Sequence, residues 1–147
     1  MLKTLDSPFG QFHLQVTGCS IVAAYFDNSF FSSSLGCPVQ AKSLMKKILA
    51  YCSGFSLSPE GTAFQRKTWD CISLIKHGHT RSYKDISMQM GKPGAARAVA
   101  SAVAQNPIAY LIPCHRIIRS NGHTGGYRWN PLRKKMMLGF EKLTFDE

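Results

Sequence analysis

Ile112-Pro113-Cys114-His115-Arg116, running on through Ile117 and Ile118 into a polar, glycine-rich segment at residues 119–127, is the stretch around which the chain is organised. It sets a thiol, an imidazole and a guanidinium on consecutive residues between apolar stretches suited to a core. Pro113 lacks an N–H and biases Ile112 toward an extended conformation, so Tyr110-Leu111-Ile112 does not continue as a regular helix. The thiol is expected at a sharp, buried junction. Two readings of Cys114 stand at this point: a nucleophile activated by a neighbouring base or cation, or a buried structural cysteine.

Beyond this junction, Asn130-Pro131 sets a capping residue before a proline at the first helical position. Leu132, Met136 and Phe140 then share one face of the expected helix, and Arg133, Lys134 and Lys135 are expected to stay wet. Glu141 lies near the end, where a carboxylate gains nothing from the macrodipole, so it needs a local partner, of which His115 is one candidate. An exposed terminal carboxylate is the other reading.

Before the junction, Asn106-Pro107 closes a helix over residues 95–105. Asn106 is either a polar terminator or a buried side chain that orients the turn before Cys114. Ala95, Val99, Ala102 and Val103 are available for packing. Ser82-Tyr83-Lys84-Asp85 has the pattern of a capping box, with Ile86 and Met90 pointing inward, and Gly91-Lys92-Pro93-Gly94 breaks the chain between the two helices. The pair is a helix-turn-helix candidate. Gly94-Ala95-Ala96-Arg97-Ala98 surrounds one long cation with small side chains, which lets a helix approach a nucleic-acid groove closely. The plainer alternative is that alanine favours helix and Arg97 snorkels to water. Upstream, Thr62 and Gln65 form another capping-box pattern. The helix it opens is expected to run about four turns, burying Phe64, Thr68, Cys71, Ile72 and Ile75, with Gly78 just past its end.

In the amino-terminal part, Phe12, Leu14 and Val16 alternate with His13, Gln15 and Thr17 in the period of a half-buried strand. Gly18-Cys19-Ser20 turns the chain into the apolar run Ile21 through Phe26, which predicts a hairpin. Residues 27–36, with Phe30 and Phe31, read as a loop. Leu44, Ile48 and Tyr51 mark an amphipathic helix over residues 41–51. Residues 53–61 are loop-like and suggest a division into 1–58 and 59–147.

The 147 residues suffice for one ordinary domain or a small lobe beside a larger one. Eighteen Lys and Arg against eight Asp and Glu give a formal charge of +10, a surplus that points to a polyanionic partner. The five cysteines are irregularly spaced with no CxxC, so neither structural zinc nor a full disulfide framework is supported. Cys19 and Cys71 are expected within packed elements, Cys52 at a helix end and Cys37 in a loop. No metal and no cofactor are expected. The start of the chain is not an apolar leader and no stretch approaches a membrane span, so an intracellular, reducing setting, at the nucleoid or in a nucleus, is the expectation.

Taken in order, Gly61-Thr62-Ala63-Phe64-Gln65, Trp69, Gly78-His79-Thr80-Arg81-Ser82-Tyr83, Gly94-Ala95-Ala96-Arg97-Ala98-Val99, Asn106-Pro107, Pro113-Cys114-His115-Arg116 and Gly125-Gly126-Tyr127-Arg128-Trp129 resemble the O6-alkylguanine-DNA alkyltransferase family. The likeness covers most of residues 61–141, and residues 8–52 resemble that family's less distinctive amino-terminal lobe. The resemblance implies an α/β (α+β) fold, with a small RNase H-like sheet-and-helix lobe and a mostly helical, winged-helix-like domain that binds DNA and carries the active site.

It also implies direct-reversal repair: an O6-alkylguanine is flipped from duplex DNA and its alkyl group moves irreversibly to Cys114. His115 would take the thiol proton through a water, Glu141 would orient His115, Asn106 would hold the turn and Tyr83 would donate toward the leaving guanine. Arg97 would enter the stack from a minor-groove helix bearing Ala95, Ala96 and Ala98. Thr80, Ser82, Tyr83 and Arg116 would contact the DNA, and Val103, Tyr127, Arg128 and Ser120 would line the base pocket, in a monomer needing no cofactor. His79 and Asn130-Pro131 depart from the family pattern outside this proton path. A binding-only module is disfavoured because Cys114 is present, and a cysteine hydrolase stands as a further alternative.

Overall fold

The computed structural model describes residues 1–27 and 38–143. The expected loop beyond Asp27, including Phe30, Phe31 and Cys37, lies outside the described residues. The first sheet holds β1 (Leu2–Ser7), β2 (Gly10–Thr17), β3 (Ser20–Phe26) and the short β4 (Ser56–Leu57), in the order β1-β2-β3-β4. The predicted hairpin is β2 and β3, antiparallel and closed at Thr17 and Ser20. Phe12, Leu14 and Val16 are buried as their alternation requires. β1 escapes the sequence pattern because it is an edge strand with only Ser7 buried, and an edge needs no alternation. Cys19, expected in a packed element, is exposed in the β2–β3 turn.

α1 (Pro38–Cys52) begins earlier than expected, and its inward stripe is Ala41, Met45, Ile48 and Cys52. Leu44 and Tyr51 flank that stripe, half-buried. α2 (Ala63–Ser73) is shorter than the four turns expected. Its capping box is complete: Gln65 N–H donates to Thr62 Oγ1 at 3.1 Å and Thr62 N–H to Gln65 Oε1 at 2.9 Å. Its last turn tightens, with Leu74 N–H donating to Cys71 O, and Ile75 stays buried although it lies outside the helix. Thr68, Trp69 and Ile72 face inward, and the Trp69 indole donates to Ala102 O at 2.8 Å. That bond ties α2 to a later helix, the one that carries Ala102. Cys71 is only half-buried, at the flank of the stripe.

β5 (Arg81–Ser82) runs straight into α3 (Tyr83–Gln89), which opens on a complete Ser82–Asp85 capping box. α4 (Ala96–Ala104) follows a turn stitched by buried Ser87, whose hydroxyl donates to Lys92 O and accepts from Ala95 N–H at 3.1 Å. Ile86, Met90, Val99, Ala102 and Val103 are buried, so the helix-turn-helix pair shares one apolar interior. A 3₁₀ turn (Cys114–Arg116) leads into β6 (Ile117–Ile118), which pairs in parallel with β5. α5 (Pro131–Leu143) closes the described chain, with Leu132 N–H donating to Asn130 Oδ1 at 2.9 Å.

The face of α5 corrects the sequence reading. Arg133 and Lys134 are buried, whereas Leu132 is 55% exposed. Inward positions fall at Arg133, Lys134, Met137, Phe140 and Glu141, so Phe140 is buried as expected while the rest of the stripe is turned from Leu132 and Met136. Arg133 survives burial because backbone carbonyls meet it: Nε donates to Phe9 O and Nη1 to Trp129 O, each at 2.8 Å, while its guanidinium lies over the Phe26 ring at 4.8 Å. With Ala24 N–H donating to Pro107 O and Ala109 N–H to Ala24 O, this side chain fastens the first sheet to the helical part.

Candidate active site

The chain between α4 and the 3₁₀ turn is held by Asn106, which is fully buried. Its Nδ2 lies 3.1 Å from Ile108 O, 3.1 Å from Ile112 O and 3.2 Å from Cys114 Sγ, and its Oδ1 accepts Ile108 N–H at 3.0 Å. The buried, turn-orienting reading of Asn106 is therefore the observed one. Tyr110 reverses the chain within this segment at a φ of 65°, and its ring stacks on the His115 imidazole at 5.1 Å. No motif flagged Tyr110, because a left-handed tyrosine has no sequence signature.

His115 is also fully buried, with Nε2 2.7 Å from Glu141 Oε1. Its Nδ1 has no hydrogen-bond partner among the described residues. Arg116 does not reach outward for DNA as expected. Its Nε donates to both Glu141 oxygens at 3.0 and 2.9 Å, Nη2 to Oε1 at 2.7 Å and Nη1 to Ile75 O at 2.7 Å. A guanidinium so used anchors the carboxylate that orients His115. Its burial follows from a partner 25 residues away, invisible to local pattern.

Burial pushes the Cys114 thiol up, against the Asn106 hydrogen bond, the Lys134 charge and the Tyr127 hydroxyl, which favour thiolate. Burial likewise pushes His115 down, overcoming the pull of Glu141. Both groups thus rest neutral: a thiol and a free imidazole nitrogen available as a base. Burial would raise Glu141, but hydrogen bonds from His115 and Arg116 outweigh it and hold its carboxyl at about 2. Lys134, pushed down to about 8 by burial, donates to Gly126 O at 3.3 Å. It was missed as a site residue although it lies two turns before Glu141 on the same helical face.

Cys114 lines a cavity of about 280 Å³ with Tyr83, Ala100, Val103, Ala104, Gly126, Tyr127 and Arg128. Tyr83, Val103, Tyr127 and Arg128, all named in the sequence reading, are thus brought together with Cys114. Arg128 also donates through Nη1 to Asn106 O at 3.0 Å. Ser120 lines a neighbouring open groove with Thr80, Arg81, Ser82, Lys84 and Arg119. Arg97 and Ala98 are exposed and Ala95 and Ala96 half-buried on the outer side of α4, the helix whose Ala100, Val103 and Ala104 wall the cavity. Among the described residues, no group of three or more His, Cys, Asp or Glu side chains could hold a metal. No described helix is long and apolar enough to cross a membrane.

Fold and site together define a helix-turn-helix protein with one buried cysteine beside an imidazole–carboxylate pair. Residues 63–143 match the 6-O-methylguanine DNA methyltransferase, DNA binding domain family. The chain is 35% identical over 150 residues to a methylated-DNA–protein-cysteine methyltransferase of Mycobacterium tuberculosis, covering 95% of this chain and 91% of the relative. It is 47% identical over 92 residues to a probable methylated-DNA–protein-cysteine methyltransferase of Acanthamoeba polyphaga mimivirus, covering 63% of this chain and 61% of that relative. A crystal structure of Mycobacterium tuberculosis OGT in complex with DNA superposes with a TM-score of 0.78 at 32% identity, covering 97% of this chain and 93% of that one. The chain belongs to the 6-O-methylguanine DNA methyltransferase family.

Proposed function

We propose that this protein repairs DNA by direct reversal, moving the alkyl group of an O6-alkylguanine, mainly methyl, onto Cys114 once per molecule. The observation that carries the reading is the shared cavity: Cys114, next in the chain to the His115 that pairs with Glu141, lines the same cavity as residues of the helix that bears Arg97. Such a cavity serves a nucleotide rotated out of the duplex, whose unstacking costs a few kcal/mol that pocket contacts and an inserted side chain offset.

The step is a displacement at carbon. The Cys114 proton passes to His115 Nδ1 through a water, the sulfur–carbon bond forms and the carbon–O6 bond breaks. The electron pair goes to the guanine, which takes the Tyr83 hydroxyl proton. Glu141 balances the imidazolium, and Asn106, Lys134 and Tyr127 favour the thiolate. A thioether has no hydrolysis step built in, so the protein is consumed stoichiometrically.

Double-stranded DNA is the partner and the chain acts as a monomer in the cell interior. The small-residue helix α4 enters the minor groove, Arg97 fills the place of the extruded nucleotide, and Thr80, Ser82 and Tyr83 lie toward the backbone. For Arg97, fluorescence of a reporter base at the target site checks the role; unchanged flipping in Arg97→Ala would defeat it.

The deciding experiment is incubation with duplex DNA carrying O6-methylguanine, followed by intact-protein and peptide mass measurement. One methyl on the Cys114 peptide, absent from Cys114→Ser, is expected. Repeated turnover without an adduct, as in a hydrolase, or binding without transfer would overturn the reading.

A further inference from the structure

The displacement moves negative charge across the cavity, from the sulfur to the phenolic oxygen, and the two ends are not served by the same cation. Lys134 interacts with the Cys114 end. At the other end, Arg119 follows β6 in a turn fixed by Arg119 N–H to His123 O and Gly122 N–H to Arg119 O, each at 2.9 Å. A Cβ placed on Gly125 would lie 3.5 Å from Arg119 Nε and 3.8 Å from the Tyr83 hydroxyl oxygen, so the guanidinium stem and the phenol flank one bare backbone position. The φ of 74° at Gly125 also disfavours any other residue there. Arg119 therefore stands between the Cys114 cavity, which Tyr83 lines, and the neighbouring open groove, which Arg119 lines.

We propose that Arg119 is a positioning residue for alkyl transfer: it holds the Tyr83 hydroxyl toward the cavity and balances the charge left on that oxygen when its proton goes to the guanine. The inference rests on the reading of Cys114 as acceptor and Tyr83 as donor. Burial and the facing Cys114 both make the phenol a weaker acid, and Arg119 opposes them. The field of the guanidinium strengthens when a duplex covers the groove and displaces water. After transfer the phenolate regains a proton from solvent and His115 releases the one taken from the thiol, so the exchange balances.

Single-turnover rates on duplex DNA carrying O6-methylguanine, at concentrations that saturate binding, test this in Arg119→Ala, Arg119→Lys, Tyr83→Phe and the double variant Tyr83→Phe/Arg119→Ala. Arg119→Ala should slow the saturated rate roughly two- to fivefold, the size expected of an exposed charge pair, and Arg119→Lys should recover most of it. The alkaline limb of the rate–pH profile should move upward in Arg119→Ala, and its effect should vanish in the Tyr83→Phe background. An unchanged saturated rate with weakened DNA binding, which marks a phosphate contact alone, or an equal loss with and without the phenol, overturns the proposal. Absence of any methyl on wild-type Cys114 would instead overturn the functional reading beneath it. Thermal melting of each variant separates these effects from loss of fold.

Discussion

Asn106 Nδ2 lies 3.2 Å from the Cys114 sulfur while the same amide holds Ile108 and Ile112. One side chain thus shapes the turn and touches the Cys114 sulfur. Asn106→Ala leaves buried backbone groups unpaired and is expected to cost about 2–4 kcal/mol of stability, read from urea unfolding. The Cys114 reactivity profile should move to higher pH in the same variant, because a hydrogen bond favouring thiolate is gone.

Lys134 is a buried cation kept beside Cys114 at the expense of stability. Lys134→Met should stabilise the fold at pH 7 by about 1–3 kcal/mol and slow Cys114 alkylation. The unfolded lysine holds its proton to about 10.5 and the folded one only to about 8, so wild-type stability gains as pH rises through that window. The variant should lack that gain, as urea midpoints at pH 7 and pH 10 will show.

Gly61 stands where a Cβ would meet the Trp69 ring at 2.6 Å and Gln65 Oε1 at 2.7 Å. Trp69 is locked by its bond to Ala102 O and cannot retreat. Gly61→Ala should therefore destabilise by about 1–3 kcal/mol in chemical denaturation, though alanine is the milder residue by propensity. An unchanged unfolding midpoint would contradict this packing.

Acid should destabilise the protein in two windows. Unfolded histidine binds a proton below about 6.5 where buried His115 does not, so stability starts to fall there. Glu141, held at about 2 against an ordinary 4.5, contributes stability that is present above 4.5 and is lost as pH falls toward 2. Calorimetric melting from pH 8 to pH 3 should show both. His115→Asn should flatten the upper window and narrow the lower, because the His115 hydrogen bond helps hold Glu141 down and only the Arg116 pair then sustains it.

How far the sequence could be read depended on how far each residue reaches. Thr62 with Gln65, Ser82 with Asp85 and Asn130 before Pro131 were legible because a cap satisfies its hydrogen bonds within three residues. The pairing of His115 with Glu141 stood among the sequence readings, because a helix-end carboxylate needs a partner. Arg116 and Arg133 were misplaced for the opposite reason. The partners of Arg116 are Glu141 and Ile75, and the carbonyl that receives the Arg133 Nε belongs to Phe9.

The sequence by itself determined the capped starts of α2, α3 and α5, the β2–β3 hairpin and the ordered motifs that mark the family. Tertiary structure alone decided which cations lie inside and what they hold: Arg116 on Glu141, Arg133 on the first sheet, Lys134 beside the thiol. A cap needs only its own neighbours, whereas a buried charge is tolerated only where the folded chain brings distant acceptors to it, and no local pattern encodes that meeting.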